Sequence, residues 1–527
     1  MDILFINPSL RRGAKTKLLP VGLGYVMTFI HEQGYKFDLL DVDINDYTDE
    51  DIEDYLAQHQ YDVILSGCIV TNYKWMKWMT KTVKKYHPQT KIIIGNSVAG
   101  STPEVFLRNS ATDFTVIGEG EFTTLALLNA LRDGAPVSKV EGIAYIDEDH
   151  QFVQTPKRKA SKINEIPMIN WELFDVQKYI DTSDHAYAEG IVIKENDPIV
   201  VMPVTTARGC AFKCTFCHYV FWNDPYRHRS PESILQEVKR NMDLYGANYI
   251  NFWDDLSFAN LKQAEQLADA ILESGLKFNW DAAIRVDLFG HPRFKYEKRL
   301  AVAKKFKESG CKHVSFSLES GNQEILDMMN KKIEVEYFTE QSKLLNEIGI
   351  TTTTSVVFGY PLETPNTIQQ TFDMCLAAEV YPSIGYLLPL PYTEMYNYAK
   401  KHGYITDEDS YLDAITERQD FCLNMTQMSD EEVMRYIKEG AMKLNQMLGI
   451  GLESDHLVKT GGYRKHTKKT ANQESRPLLD PENLKRNEND FSVNYSKAVF
   501  SDDMRTQIVA DSQIKARKKQ IKEAPQI

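Results

Sequence analysis

Short apolar runs recur along this chain, and between them lie stretches whose apolar residues return every three or four positions, the two periods of strand and helix. The runs DILFINP, KFDLLDVD, YDVILSGC, KIIIGN and DFTVIGEG predict strands in the first 140 residues. VGLGYVMTFIHEQG, DEDIEDYLAQHQ, YKWMKWMTKTVKKYHP, TPEVFLRNS and EFTTLALLNALRDG predict the helices between them. Gly34 suits the position just past the first helix, and the acidic start of the second complements the helix dipole. Strands alternating with helices imply a parallel, doubly wound α/β sheet. Such sheets bind ligands beyond their strand C-termini, where the strand order reverses.

The rhythm breaks at 141–195. GIAYIDEDHQFVQT reads as a β-hairpin and INEIPMINWELFD as an irregular crossing segment, so this stretch is expected to be a linker packed on its neighbours. From 196 to 402 the alternation resumes, starting with the buried strand IVVMPVTTA. Helix SPESILQEVKRNMDLYG has Ser230 as N-cap, Pro231 at its first position and Gly246 beyond its end. Six strand–helix units follow one another. That is too few for a closed eight-fold barrel and fits an open, partial (β/α)6 barrel, with working groups at the strand C-termini. Residues 403–450 read as helical, and 451–527 as a polar, charged, weakly ordered tail.

Charge and cysteine usage narrow the chemistry. The net charge of −13 over 527 residues argues against general nucleic-acid binding. No run approaches the roughly twenty apolar residues of a membrane span, and MDILFINPSL lacks the basic start of a secretory signal. A cytoplasmic location is the expectation. Three of the seven cysteines, Cys210, Cys214 and Cys217, stand together in TTARGCAFKCTFCH. A closed zinc site needs four ligands, and a fourth from the adjacent His218 would be strained. A zinc-binding, non-catalytic protein is therefore the rival reading. An iron–sulfur cluster held by three thiolates keeps one iron open for a substrate.

The spacing C-x3-C-x2-C, with Phe216 before the last cysteine and Arg208 before the loop, resembles the radical S-adenosylmethionine (SAM) superfamily. The later strand ends agree. NFWDDLSF resembles the F-x-D-D-x-F strand of the cobalamin-associated branch, which implies that Asp254 and Asp255 meet the SAM amino group. The resemblance likewise places Arg285 of WDAAIRVD, Glu319 and Ser320 of SLESG, and Gly359 of VVFGYP against SAM. Pro361 and Glu363 belong to the same motif. Tyr392 stands where the last strand of relatives has glycine in P-x-P-G-T, which fills space near the barrel mouth. The first domain resembles the Rossmann-like cobalamin-binding module that precedes many such barrels. The matching stretches are LPVGLGYV, SGCIVTNY, IIIGNSVAGSTPE and VIGEGEFT, with Pro20, Gly67, Thr71, Gly95, Gly118 and Glu119 as the implied contacts. His31 of FIHEQG lacks the aspartate of the ligating D-x-H-x-x-G motif and ends a helix, so cobalamin is expected without a protein histidine on its metal. One departure is Gly95-Asn96 in place of a usual Gly-Gly pair.

The resemblance implies a cobalamin-binding domain, a radical SAM partial barrel, a 4Fe–4S cluster on the three cysteines, SAM and cobalamin. It implies an enzyme that cleaves SAM reductively to a 5′-deoxyadenosyl radical and methylates an unactivated carbon of a small molecule. Flavodoxin or ferredoxin is the implied electron donor. The alternative within the family is cyclisation or rearrangement without methyl transfer, as in the anaerobic porphyrin cyclase type. A tRNA methylthiotransferase would need further N-terminal cluster cysteines, and the first domain has only Cys68. The loop HYVFWNDPYRHR suits equally an anionic or extended substrate and packing on the first domain.

Overall fold

A computed structural model describes residues 1–12, 17–187, 199–217, 224–416, 418–452, 454, 457 and 458. His218, most of the aromatic loop after the third cysteine, and the polar tail from 459 lie outside the described residues.

The first sheet has strands β1 (Ile3–Asn7), β2 (Asp38–Asp41), β3 (Val63–Gly67), β4 (Lys91–Gly95) and β5 (Phe114–Val116), all parallel. Their order is β2-β1-β3-β4-β5. The order reverses between β1 and β3, which makes that crevice the ligand position of the fold. Helices cover both faces, so strands such as Ile3–Ile6 are buried throughout. The hairpin expected after residue 141 forms as β6 (Ile143–Ile146) and β7 (Phe152–Gln154). It adds antiparallel to β5 and extends this sheet to seven strands. Within the stretch read as linker, a helix unforeseen from sequence runs Val176–Tyr187, with Tyr179 and Ile180 buried.

The second unit starts at β8 (Val201–Val204) and a two-stranded ribbon of β9 (Ala207–Arg208) and β10 (Arg227–His228). Then come β11 (Tyr249–Phe252), β12 (Asn279–Ala283), β13 (Cys311–Ser315), β14 (Thr351–Thr353), β15 (Ser355–Phe358) and β16 (Ser383–Tyr386). β8, β11, β12, β13 and β14 form one parallel sheet in sequence order. β15 and β16 pair separately, and a parallel bridge from Glu319 to Val356 joins the two pieces. The result is a bent, six-unit wall. Its first helix, Pro231–Tyr245, begins at Ser230, whose hydroxyl accepts from the Ser233 amide, and ends at left-handed Gly246, as the sequence implies.

Alternation along the strands separates helix-facing from lumen-facing side chains. Trp280 packs on Phe252 and on Phe306 of the helix Tyr296–Glu308, with ring centroids 5.4 and 4.9 Å apart. Its neighbour Asp281 therefore faces the lumen, level with Asn251 of β11 and His313 of β13. Burial pushes the Asp281 carboxyl up to about 7 and the His313 imidazole down to about 4. After the barrel come helices Glu408–Ala414 and Asp430–Leu448. No helix among the described residues is long and apolar enough to cross a membrane.

Candidate functional site

The cysteine loop is pinned at its base from several directions. Arg229 donates to the Thr205 carbonyl at 2.8 Å, and Tyr25 of the first domain shares a hydrogen bond with the Thr205 hydroxyl. The Asp254 carboxylate accepts from the Thr206 amide, the Thr206 hydroxyl and the Ala207 amide at 2.7–3.1 Å. Burial pushes this carboxyl up to about 6 even so. Gly209 follows with φ +91°, and a side chain there would meet the Pro225 carbonyl at 3.0 Å. Only glycine combines that backbone angle with that approach.

Cys210, Cys214 and Cys217 then share one electrostatic environment. Burial raises the Cys210 thiol and neighbouring Cys214 raises it further, while Arg285 opposes both. Burial, then Cys214, Asp255 and Cys210, push Cys217 up to about 12, with Lys331 opposing. Burial and mutual repulsion thus make Cys210, Cys217 and the Asp255 carboxyl resist ionisation. Among the described residues no three His, Cys, Asp or Glu side chains are drawn together closely enough to hold a single metal ion. Three soft thiols on one loop are the donor type that iron–sulfur clusters use.

The two aspartates part company. Asp254 is spent on the loop backbone. Asp255 makes no hydrogen bond among the described residues, is exposed, and lies near Cys210 and Cys217. Arg285 lies over the Phe212 ring of the cysteine loop at 3.5 Å and donates to the Lys331 carbonyl at 2.6 Å. Glu319 holds φ +67°, a strained angle for a residue with a side chain, and pairs with Lys331 at 2.7 Å. Lys331 thus joins Glu319 to the cysteine loop, a role that no strand-end pattern signalled. Ser320 is buried and accepts from the Asn322 amide, so its hydroxyl turns the next loop. Gly359 has φ +101° and its amide donates to buried Glu363 at 3.3 Å.

In the first domain the glycine loops gather at one edge, the C-termini of β3, β4 and β5. A side chain on Gly67 would sit 3.2 Å from the Gly95 backbone, so the two strand ends run close. Asn96 takes φ +62°, a left-handed angle that asparagine tolerates, which explains how Gly-Asn replaces Gly-Gly. Thr71 lies in the turn Val70–Asn72 after β3, and Pro20 caps the helix Val21–Glu32, its carbonyl accepting from Gly24. Leu10 after β1 and Ile69 after β3 are 41% and 42% exposed at the reversal point, an apolar surface for a flat ligand. His31 is exposed at the C-terminal end of that helix, which crosses antiparallel to the strands. It therefore lies at the opposite edge of the sheet from this surface.

Glu119, at φ-positive Gly118, turns away from a purely local role. Its carboxylate takes Arg227 at 2.5 Å, Arg208 at 3.4 Å and the Ser161 amide at 3.0 Å. Burial opposes ionisation, but the Arg227 bonds and the Arg208 charge hold the carboxyl below its ordinary value. Arg208 also pairs with Glu121 at 2.6 Å and covers the Tyr25 ring at 4.5 Å. The loop after β5 is thereby tied to the residue two places before Cys210.

Comparison with known proteins agrees with this layout. Residues 10–128 match the model of the B12 binding domain, and residues 204–375 match that of the radical SAM superfamily. An uncharacterized methyltransferase of Pyrococcus horikoshii is 27% identical over 76% of this chain and 83% of its own length. An anaerobic magnesium-protoporphyrin IX monomethyl ester cyclase of Rubrivivax gelatinosus is 25% identical over 90% of this chain and 87% of its own. A cytidylyl-2-hydroxyethylphosphonate methyltransferase of Streptomyces wedmorensis is 24% identical, over 84% and 89%. Among solved structures, the radical SAM methyltransferase TsrM of Kitasatospora setae, with cobalamin and a 4Fe–4S cluster bound, superposes with TM-score 0.60. It has 17% identity and covers 76% of this chain and 78% of its own. The cobalamin-dependent SAM radical enzyme OxsB with aqua-cobalamin bound superposes with TM-score 0.65 at 15% identity, over 98% and 80%. These two share the fold.

Proposed function

We propose, for this member of the radical SAM superfamily with a B12-binding domain ahead of its barrel, an enzyme that methylates an unactivated carbon of a small molecule. The observation that carries the reading is the meeting of three thiols with Asp255, Arg285, Glu319 and Lys331 at one barrel mouth, beside the ligand edge of the first sheet. Cys210, Cys214 and Cys217 would hold a 4Fe–4S cluster. Asp255 and Glu319 offer carboxylates to the SAM amino group and ribose, and Arg285 and Lys331 offer cations to its carboxylate. Pro20, Gly67, Thr71, Gly95 and Gly118 would let the backbone approach cobalamin, with Leu10 and Ile69 against its flat face. When bound, these groups supply one-electron cleavage of SAM and a transferable methyl group; the chemistry is theirs, and the protein orients them and excludes water. Asp254 holds the thiol loop in place, and the Arg208–Glu119 pair holds the two ligand edges face to face. A flavodoxin or ferredoxin would deliver the electron.

The test is anaerobic reconstitution of the full chain with iron, sulfide, SAM, cobalamin and a reductant. The wild type should turn brown, absorbing near roughly 400 nm, and form 5′-deoxyadenosine and S-adenosylhomocysteine. Replacing the three cysteines by alanine should remove iron and both products together. A colourless wild type holding stoichiometric zinc would sink the reading. The likeness to a cyclase over nine-tenths of the chain supports a second outcome, 5′-deoxyadenosine without S-adenosylhomocysteine, which would mean ring closure or rearrangement in place of methylation.

A further inference from the structure

The inner face of the barrel wall is open and polar. Along β13–β16, Ser315, Ser317, Thr353, Ser355 and Ser383 are each partly exposed, while the residues that alternate with them are buried. Parallel sheets are ordinarily covered on both faces, so this row of half-exposed hydroxyls marks a lumen that water and ligands can enter. Ser317 and Ser355 share a hydrogen bond at 2.7 Å. Ser355 pairs along the sheet with Ser383 of β16.

One cation stands on this wall without a carboxylate. Arg418 follows the helix Glu408–Ala414, and its carbonyl accepts from the Tyr386 amide at 2.6 Å, so it lies beside β16. Its side chain runs over Gly385, on the same face as Ser383. A Cβ on Gly385 would meet the Arg418 Cγ and Cδ at 3.4 Å and Nη1 at 3.3 Å. Nη2 donates to the Ser383 hydroxyl at 3.3 Å, the guanidinium's one hydrogen bond among the described residues. Most of its five N–H donors are left over. The other buried or partly buried arginines of the barrel are committed: Arg208, Arg227, Arg229, Arg240, Arg285 and Arg299 each meet a carboxylate. Arg418 is also level with the edge offered to SAM. Gly385 pairs with Val357, whose amide donates to the Glu319 carbonyl at 2.9 Å. Glu319 itself is taken by Lys331, which leaves Arg418 for a partner from outside.

Resting on the function proposed above, we infer that Arg418 anchors an acidic group of the substrate, a carboxylate or a phosphate, with the Ser383 and Ser355 hydroxyls beside it. A guanidinium fork suits the paired oxygens of either anion, and the anchored molecule lies in the lumen next to SAM. Calorimetric titration of the full chain at constant ionic strength with inorganic phosphate, acetate and uncharged trimethyl phosphate tests this. The wild type should bind one of the anions at least roughly tenfold more tightly than trimethyl phosphate, the scale of a charge-assisted bond. A preference for phosphate names a phosphorylated substrate, and a preference for acetate a carboxylic acid. Arg418→Gln should weaken that anion about tenfold at an unchanged melting temperature, and Arg293→Gln, at an exposed arginine, should leave it as it was. If Arg418→Gln fails to fold, Arg418→Lys, which keeps the charge and loses the fork, should show a smaller loss of the same kind. No anion binding, equal affinity for trimethyl phosphate, or anion binding untouched by substitution of Arg418 would each overturn the inference. So would an equal fall in SAM affinity of the reconstituted Arg418→Gln chain, which would assign the residue to SAM. The anion titrations require neither iron nor SAM, so their failure leaves the radical chemistry standing, and a failed cluster assay leaves the titration result standing.

Discussion

Adjacent residues of like chemistry do unlike work at this site. Asp254 and Asp255 differ only in which way the chain turns after β11. Asp254 satisfies two backbone amides and a hydroxyl at the base of the thiol loop, and Asp255, with no hydrogen bond among the described residues, lies near the thiols. Asp254→Ala leaves buried donors unpaired, at about 1–3 kcal/mol each. We expect it to lower both the melting temperature and the iron held per chain. Asp255→Asn should keep the melting temperature and the iron, and slow 5′-deoxyadenosine formation at least roughly tenfold, one lost charge-assisted contact. Equal iron loss in both variants would refute the division. The pair was legible in NFWDDLSF as a site candidate. Which member faces the thiols was not, because strand alternation past a strand end is decided by the loop's own hydrogen bonds.

At the scale of elements, the strand-to-loop step at Gly209 governs how the cysteines are presented. A left-handed angle costs an L-residue roughly 1–2 kcal/mol, and at Gly209 the Pro225 carbonyl closes the space as well. Gly209→Ala is expected to hold less iron after reconstitution than Gly134→Ala. Gly134 has a similar left-handed angle, φ +64°, with open space around it. Equal iron in the two variants would show that the Pro225 contact is irrelevant. The periodic elements themselves were plain in the chain: five strands and their helices in the first sheet, then six strand–helix units. The helix Val176–Tyr187 escaped notice because VQKYIDTSDHAY carries few apolar residues. Among its described side chains only Tyr179 and Ile180 are buried, and packing against another element rather than propensity explains its order.

Over the whole molecule, two ligand edges face each other through an ionic clamp. Glu119 sits among Arg208, Arg227 and Ser161, and a second tie joins Tyr73 and Lys77 to Asp409 at 2.6 and 2.7 Å. Breaking a buried pair costs about 3 kcal/mol. Glu119→Gln should therefore speed hydrogen exchange of the amides at 205–217 by tenfold or more, each tenfold being about 1.4 kcal/mol. Unchanged protection would show that the thiol loop does not depend on the first domain. The sequence by itself determined the element order, the three-thiol loop and the glycine-bearing strand ends, since these follow from local periodicity, spacing and backbone geometry. Tertiary structure alone decided that Glu119 clasps Arg208, that Lys331 reaches Glu319, and that Asn251 meets Asp281. Those depend on which side chains meet across distant segments, and a burial pattern read along one chain carries no record of that.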